Sequence, residues 1–428
     1  MSVSSHSNNT QERLLGKCRV LDLTEGGYNF AGKILGDLGA DVIRIEPPHG
    51  SITRRMPPFH EGAPLLECSF FWHAYNLQKR GITLDLDSKD GRELFKRLVK
   101  TADIVLESFP GGYMGSIELD YKALEHVNPD IIFTHMSTFG DHGPHSHYKG
   151  SDLINWAMGG MLFATGDPDR PPVRVSFPVS EAVTAAQGAA GTLHAWWHKI
   201  NTGEGQKVSV SAQETMIWVL IMGVGYPIID GSVPHREGTY RGFGMVRWRQ
   251  VIPCKDGHIS IYIIAGPSGG GSMRALVQYM DEDGMASKEL KDRVWEEWGP
   301  ADLVRMGEVQ ALKEIRDIED RVAQFFALKT KQELFDRALH NRILLSPCAT
   351  IKDLTENPQL ESRGLWASIE HPAFSKPLKC PGWFVKVGEF PPTIRRAPLL
   401  GEHNEEIYLR ELQLSTVELT SLKGVCAI

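Results

Sequence analysis

From residue 18 onward the chain switches repeatedly between two hydrophobic periods. Cys18–Thr24 (CRVLDLT) is a short, apolar, β-prone run that predicts a strand. Phe30–Leu38 follows at helical spacing and stops at Gly39, a helix-ending residue. Asp41–Glu46 (DVIRIE) is the next strand, closed by Pro47-Pro48. A strand–helix–strand unit with short connections predicts parallel strands and a right-handed crossover. The alternation continues with a strand at Ile82–Leu86 and a helix over Lys89–Thr101. Ser88 caps that helix, and Leu94, Phe95 and Leu98 share one face. A strand at Asp103–Glu107, a short helix at Tyr121–Val127 and a strand at Asp130–His135 complete the series. The pattern predicts an α/β layered domain.

Beyond the last of these strands comes a different kind of stretch. Trp156–Ala164 has the spacing of a small-residue helix, and Gly166–Pro172 reads as a loop. One carboxylate, Glu181, then opens a long helix of tiny residues, Ala182–Ala195. A helix so poor in bulk lets backbones approach closely or leaves room for a ligand. An acid at its start is favoured by the macrodipole, and is also the first place to look for chemistry.

After a helix from Ala212, Gly231–Arg247 reads as a linker or loop. Gln250–Ile264 reads as a hairpin turning at Lys255-Asp256-Gly257. Charged helical segments run from Met273 to about Leu339, and from Gly364 short strands dominate, with a helix near Glu402–Leu412. The expected organisation is a disordered polar tail at 1–16, a large Rossmann-like domain at 17–224 and a linker at 225–249. A small α+β domain at 250–345 follows, then 346–428 as a second linker and a return to the large domain.

Composition narrows the classes. A length of 428 residues exceeds one typical domain. A net charge of −7, with no arginine-rich arm, argues against general nucleic-acid binding. The polar start has no signal-peptide core, and the most apolar run, Met216–Ile229, is too short to span a bilayer. Six scattered cysteines without a CxxC pair predict reduced thiols, a cytoplasmic setting and no zinc site.

Isolated motifs say less. Gly26-Gly27 lacks the spacing of a dinucleotide fingerprint and predicts a tight turn. His135, His142, His145 and His147 lack a metal-binding context and predict a solvated loop. Gly266–Gly271 is either a flap or a turn. Lys79, Arg80 and Lys149 stand beside strand ends, where they serve surface solubility or hold phosphate. Trp156, Trp196, Trp197 and Trp218 shape either an aromatic pocket or the core.

Several blocks, taken in order, resemble the class III (family III) coenzyme A transferases: VLDLTEGGYNFAGKILGDLGADVIRIEPPHG, NLQKRGITLDLDSKDGRELFKRLVKTADIVLESF, YKALEHVNPDIIF, SDLINWAMGG and TGEGQKVSVSAQE. The similarity runs over most of residues 17–275 and weakens beyond. It implies an interlocked dimer in which each protomer has a Rossmann-like domain and a smaller domain. It implies no permanently bound cofactor and no metal, with a coenzyme A thioester and a carboxylic acid as substrates. It also implies covalent chemistry through a carboxylate, by way of an anhydride and an enzyme–CoA thioester.

The family nucleophile is an aspartate in a Pro-x-x-Asp pattern before the small-residue helix. Here the pattern reads Pro178-Val179-Ser180-Glu181, one methylene longer. Leu84, Ser108 and Phe109 match positions lining the CoA channel, although the family usually has asparagine at the place of Ser108. Lys149 falls where a family lysine holds CoA phosphate. Two arginines that some members carry are replaced, by Pro47 and near Ser116. Ser151 stands where the racemases of the family need a histidine.

Three functions follow as expectations. The first is a CoA-transferase subunit paired with a homologous, aspartate-bearing subunit, as in enzymes of the succinyl-CoA:benzylsuccinate type. The second is a self-sufficient homodimer using Glu181. The third, disfavoured by Ser151, is an acyl-CoA racemase, isomerase or binding protein. None involves nucleic acid or a membrane.

Overall fold

The computed structural model describes residues 14–229, 231–243, 246–263, 265–383, 385–387 and 394–428. Most of the predicted disordered tail, residues 1–13, lies outside them. The chain divides into two compact units. One comprises the N-terminal part to Leu162, Arg174–Val233 and Gln359–Ile428; the other comprises Phe163–Val173 and Pro234–Pro358.

The first unit is built on six parallel strands: β1 (Arg19–Leu23), β2 (Asp41–Glu46), β3 (Arg80–Thr83), β4 (Ile104–Glu107), β5 (Ile132–Ser137) and β6 (Lys207–Ser211). Their order is β3-β2-β1-β4-β5-β6. The order reverses between β1 and β4, the topological switch point of a doubly wound sheet. Both faces of the sheet are covered. Leu21, Ile43 and Ile82 join a core with the helix Lys89–Val99, while Val20, Val42 and Ile104 join another with the helix Asn29–Asp37. Burial on both faces is why these strands read as continuous apolar runs rather than alternating ones. Ile407, Tyr408 and Leu419 from the C-terminal segment complete the first core, and Tyr408 Oη donates to the Thr83 carbonyl at 2.7 Å.

The long helix of tiny residues spans Val179–Thr202. Its smallness serves packing against the sheet. A Cβ on Gly188 would lie 2.3 Å from Sδ of Met136 on β5, and one on Gly191 would lie 3.0 Å from Val208 on β6. Thr192 and Thr134 hydroxyls hydrogen-bond across the same contact at 2.7 Å.

Several expectations need correction. Lys79 and Arg80 are neither surface solubilisers nor free phosphate ligands. Lys79 is fully buried, with Nζ 2.7 Å from Asp22 and hydrogen-bonded to the Asn29 carbonyl and Asn76. Arg80 pairs with Asp41, Glu406 and Glu411. His135 belongs to β5 and is buried, not in a solvated loop. Trp156 is buried, but Trp197 and Trp218 are more than 60% exposed.

In the second unit, Gly231–Arg247 does not read through as a linker. It contains β7 (Tyr240–Phe243) and the start of β8 (Val246–Arg249), an antiparallel pair. The predicted hairpin is there as β9 (Val251–Cys254) and β10 (Gly257–Ile261), joined by β11 (Leu345–Pro347). Gly266, in the left-handed region at φ +81°, turns the chain into the helix Gly270–Glu282, so the Gly266–Gly271 run is a turn and helix start. Among the described residues no single helix is long and apolar enough to cross a membrane.

Candidate active site

The site is assembled where the strand order reverses. β1 runs out into the turn Thr24–Gly27, and β4 into the loop Ser108–Gly111. The Glu25 amide donates to Ser108 Oγ at 2.8 Å and ties the two together. The start of the helix Val179–Thr202 reaches the same point. Ser180 is fixed there by Asp152, whose Oδ1 accepts from the Ser180 amide at 3.0 Å and its hydroxyl at 2.7 Å. Asn155 adds a bond to the Ser180 hydroxyl at 3.0 Å. Asp152 thereby caps a helix whose own N-cap, Pro178, has no side chain to offer.

Glu181 follows immediately. Its Oε2 accepts the Gly27 amide proton at 2.7 Å. Only glycine fits there: a Cβ on Gly26 would lie 2.6 Å from Glu181 Oε2, and one on Gly27 would lie 2.8 Å from Glu181 Cβ. Gly26 also sits at φ +62°, where side chains are strained. The glycine pair expected only as a tight turn is thus also a seat for a carboxylate. Its signal in the sequence was its place directly after the first strand of a doubly wound sheet. Glu181 Oε1 has no hydrogen-bond partner among the described residues.

Burial raises the Glu181 carboxyl above the ordinary glutamate range; the Gly27 amide opposes this, and the Asp152 charge adds to it. Tyr28 is also held well up, first by burial and then by the Glu181 charge.

Glu181 lines a cavity of roughly 250 Å³ together with Tyr28, Ser108, Phe109, Thr138 and Lys149. Four of the five sequence-selected residues therefore meet in one cavity. Leu84 is not among its lining residues: directly after β3, it is 2% exposed and belongs to the core that covers one face of the sheet. Lys149 is exposed at the cavity, the one cation among its lining residues. Tyr28 and Thr138 were missed, because nothing in their local pattern separates them from core and strand-end residues. Ser151 caps the helix Asp152–Met158, accepting from the Ile154 amide at 3.4 Å. Among the described residues no cluster of His, Cys, Asp and Glu is arranged to hold a metal ion.

The model of CoA-transferase family III matches residues 15–404, further along the chain than the sequence blocks reached. The chain belongs to this family.

Succinyl-CoA:mesaconate CoA-transferase of Haloarcula hispanica is 30% identical, over 92% of this chain and 95% of the relative. The succinyl-CoA:(R)-benzylsuccinate CoA-transferase subunit BbsE of Thauera aromatica is 29% identical, over 96% and 97%. A formyl-CoA:oxalate CoA-transferase of Streptomyces avermitilis is 28% identical, over 95% and 97%. Among solved structures, a CaiB/BaiF family protein from Brucella suis superposes with a TM-score of 0.78 at 25% identity, over 94% of this chain and all of that one. The protein is a CoA-transferase, and its relatives move CoA between acids.

Proposed function

We propose that this chain is one subunit of an enzyme that moves CoA from an acyl-CoA thioester, foremost succinyl-CoA, to a free carboxylic acid. A homologous subunit with aspartate in the Pro-x-x-Asp slot carries the covalent chemistry. One observation carries the reading: the carboxylate in the family's slot is Glu181, and its extra methylene is absorbed by tucking Oε2 into the Gly26-Gly27 seat. Attack geometry is sensitive on this scale, and a displacement of about 1 Å costs on the order of 100-fold in rate. The Thauera relative, itself named as a subunit, supports the paired arrangement.

The exchange balances as four displacements. A carboxylate oxygen attacks the thioester carbonyl, forming an anhydride and releasing CoA thiolate. The thiolate attacks the enzyme's carbonyl, giving an enzyme–CoA thioester and the donor's free carboxylate. The acceptor carboxylate attacks that thioester and releases the thiolate again. The thiolate then attacks the acceptor's acyl carbon, giving the product thioester and restoring the enzyme carboxylate.

A second reading is favoured by the open Oε1 of Glu181, which leaves one oxygen available for attack. Expression of the chain alone, assayed with succinyl-CoA and dicarboxylic acceptors, separates the two. The paired reading expects no turnover until the aspartate-bearing homologue is added. Turnover by this chain alone, with Glu181 modified after hydroxylamine trapping, overturns it in favour of the second.

A further inference from the structure

Behind the cavity wall lies a row of charged groups that the transfer chemistry leaves unused. Glu107 at the end of β4 and His135 on β5 are register partners, and both side chains are only 4% exposed. His135 Nδ1 lies 2.5 Å from Glu107 Oε1, and Glu107 Oε2 accepts the Phe109 amide proton at 2.8 Å. On its other side, His135 Nε2 stands 3.4 Å from Asp141 Oδ1, an ion-pair distance rather than a hydrogen bond. Asp141 Oδ2 in turn lies 3.0 Å from Nζ of Lys207 on β6.

Phe109 and its neighbours Ser108, Pro110 and Gly111 form one wall of the cavity. Ser108 accepts the Glu25 amide, so the same wall touches the turn that seats Glu181. A buried carboxylate needs donors on both oxygens. Glu107 has an imidazole on one and the Phe109 amide on the other. A neutral ring still donates to Glu107 from Nδ1, but with a charged ring that bond is about twice as strong, so the firmness of the wall depends on the charge of the ring behind it.

We propose that His135, acting through Glu107, is a positioning residue that fixes the Ser108–Gly111 wall and makes the cavity's grip on CoA depend on pH. The proposal rests on the reading that CoA occupies this cavity. Burial favours the neutral ring, but Glu107 and then Asp141 outweigh burial and the Lys207 charge, so His135 keeps its proton above the ordinary histidine range. Below that raised value the ring is a cation and the wall is held. As pH rises through it, the charge goes and the hold weakens.

The test measures two things on the full chain, in its assembled form, between about pH 6 and 9: hydrogen exchange of the 108–111 segment, and calorimetric affinity for CoA itself. For the unaltered protein, affinity should fall roughly tenfold toward the alkaline end, as the charge-assisted bond from His135 to Glu107 becomes a neutral one. Exchange of the segment, corrected for its intrinsic pH dependence, should quicken in step. His135→Leu should bind weakly at every pH. His135→Gln, which can still donate but carries no charge, should hold at all pH values near the weaker affinity that the unaltered protein shows at the alkaline end, without its decline. Equal exchange and affinity profiles for the unaltered protein and His135→Gln overturn the proposal, and they decide the matter even if His135→Leu fails to fold. If no form binds CoA, the functional reading fails, while the exchange profiles still judge the role of His135.

Discussion

The amide of Gly27 donates to the carboxylate of Glu181 at 2.7 Å, across 154 positions of sequence. One partner lies in the turn after β1, the other in the first turn of the long small-residue helix. Their meeting joins two segments at the sheet's switch point, and both residues are special: one because it lacks a Cβ, the other because burial holds its carboxyl above the ordinary glutamate range.

Adding a Cβ at this seat should be costly. In Gly27→Ala the new atom meets Glu181 Cβ at 2.8 Å and the Ala182 amide nitrogen at 3.3 Å, neither of which can swing aside. Overpacking of this kind costs about 1–3 kcal/mol. Denaturant unfolding should show that loss, and an unchanged midpoint would mean that the turn and the helix start separate easily.

Glu181→Gln should stabilise the folded chain at neutral pH. The Glu181 carboxyl is raised by burial from 4.5, so between that value and its raised folded value the folded state binds more protons than the unfolded one. Stability therefore falls as pH rises through this window, and the ionised group is destabilising above it. Melting temperatures of the two proteins should differ at pH 7 and converge once the pH drops below the unfolded value. A gap that widens in acid would contradict the assignment.

His73 and His371 predict acid lability of the opposite sign. Their rings lie 4.4 Å apart beside Phe374. Burial lowers both from 6.5 to about 4, and Arg54 and Arg396 add to the effect. The unfolded chain takes up these protons first, so stability declines from about pH 6.5 down to about 4. A His73→Gln/His371→Gln double variant should show a flatter melting profile over that range.

Lys79→Ala should be among the most damaging single changes. It removes the donor for Asp22, the Asn29 carbonyl and Asn76 in a fully buried setting. Breaking one side of a buried pair costs about 3–5 kcal/mol. Removing the stranded charge as well, in Lys79→Met/Asp22→Asn, should recover much of that. If the double variant is no better than Lys79→Ala, the penalty lies in lost packing instead.

The six-stranded sheet was legible because its strands are buried on both faces and its connections are short. Each apolar run between turn signals therefore maps to one strand, with β2 predicted to its exact ends and β3 displaced by two to three residues. The hairpin β7–β8 was not legible, because Gly231–Arg247 is rich in glycine and arginine and carries no clean alternation. The misread residues share one cause. Lys79, Arg80 and His135 are polar types whose usual place is the surface, and only long-range partners keep them inside.

The sequence by itself determined the α/β class, the order of the strands along the chain and, through its resemblance, the family and the carboxylate at 181. These rest on local periodicity and on residues in fixed order, which one chain displays directly. Only the tertiary structure decided what surrounds Glu181: the Gly27 amide from the turn after β1, the Asp152 that holds its neighbour Ser180, and a shared cavity lined by Ser108–Gly111, with Glu107 bonded to the Phe109 amide and to His135. Those contacts join segments far apart in the chain, and their energies depend on burial and on ångström-scale distances that no local pattern encodes.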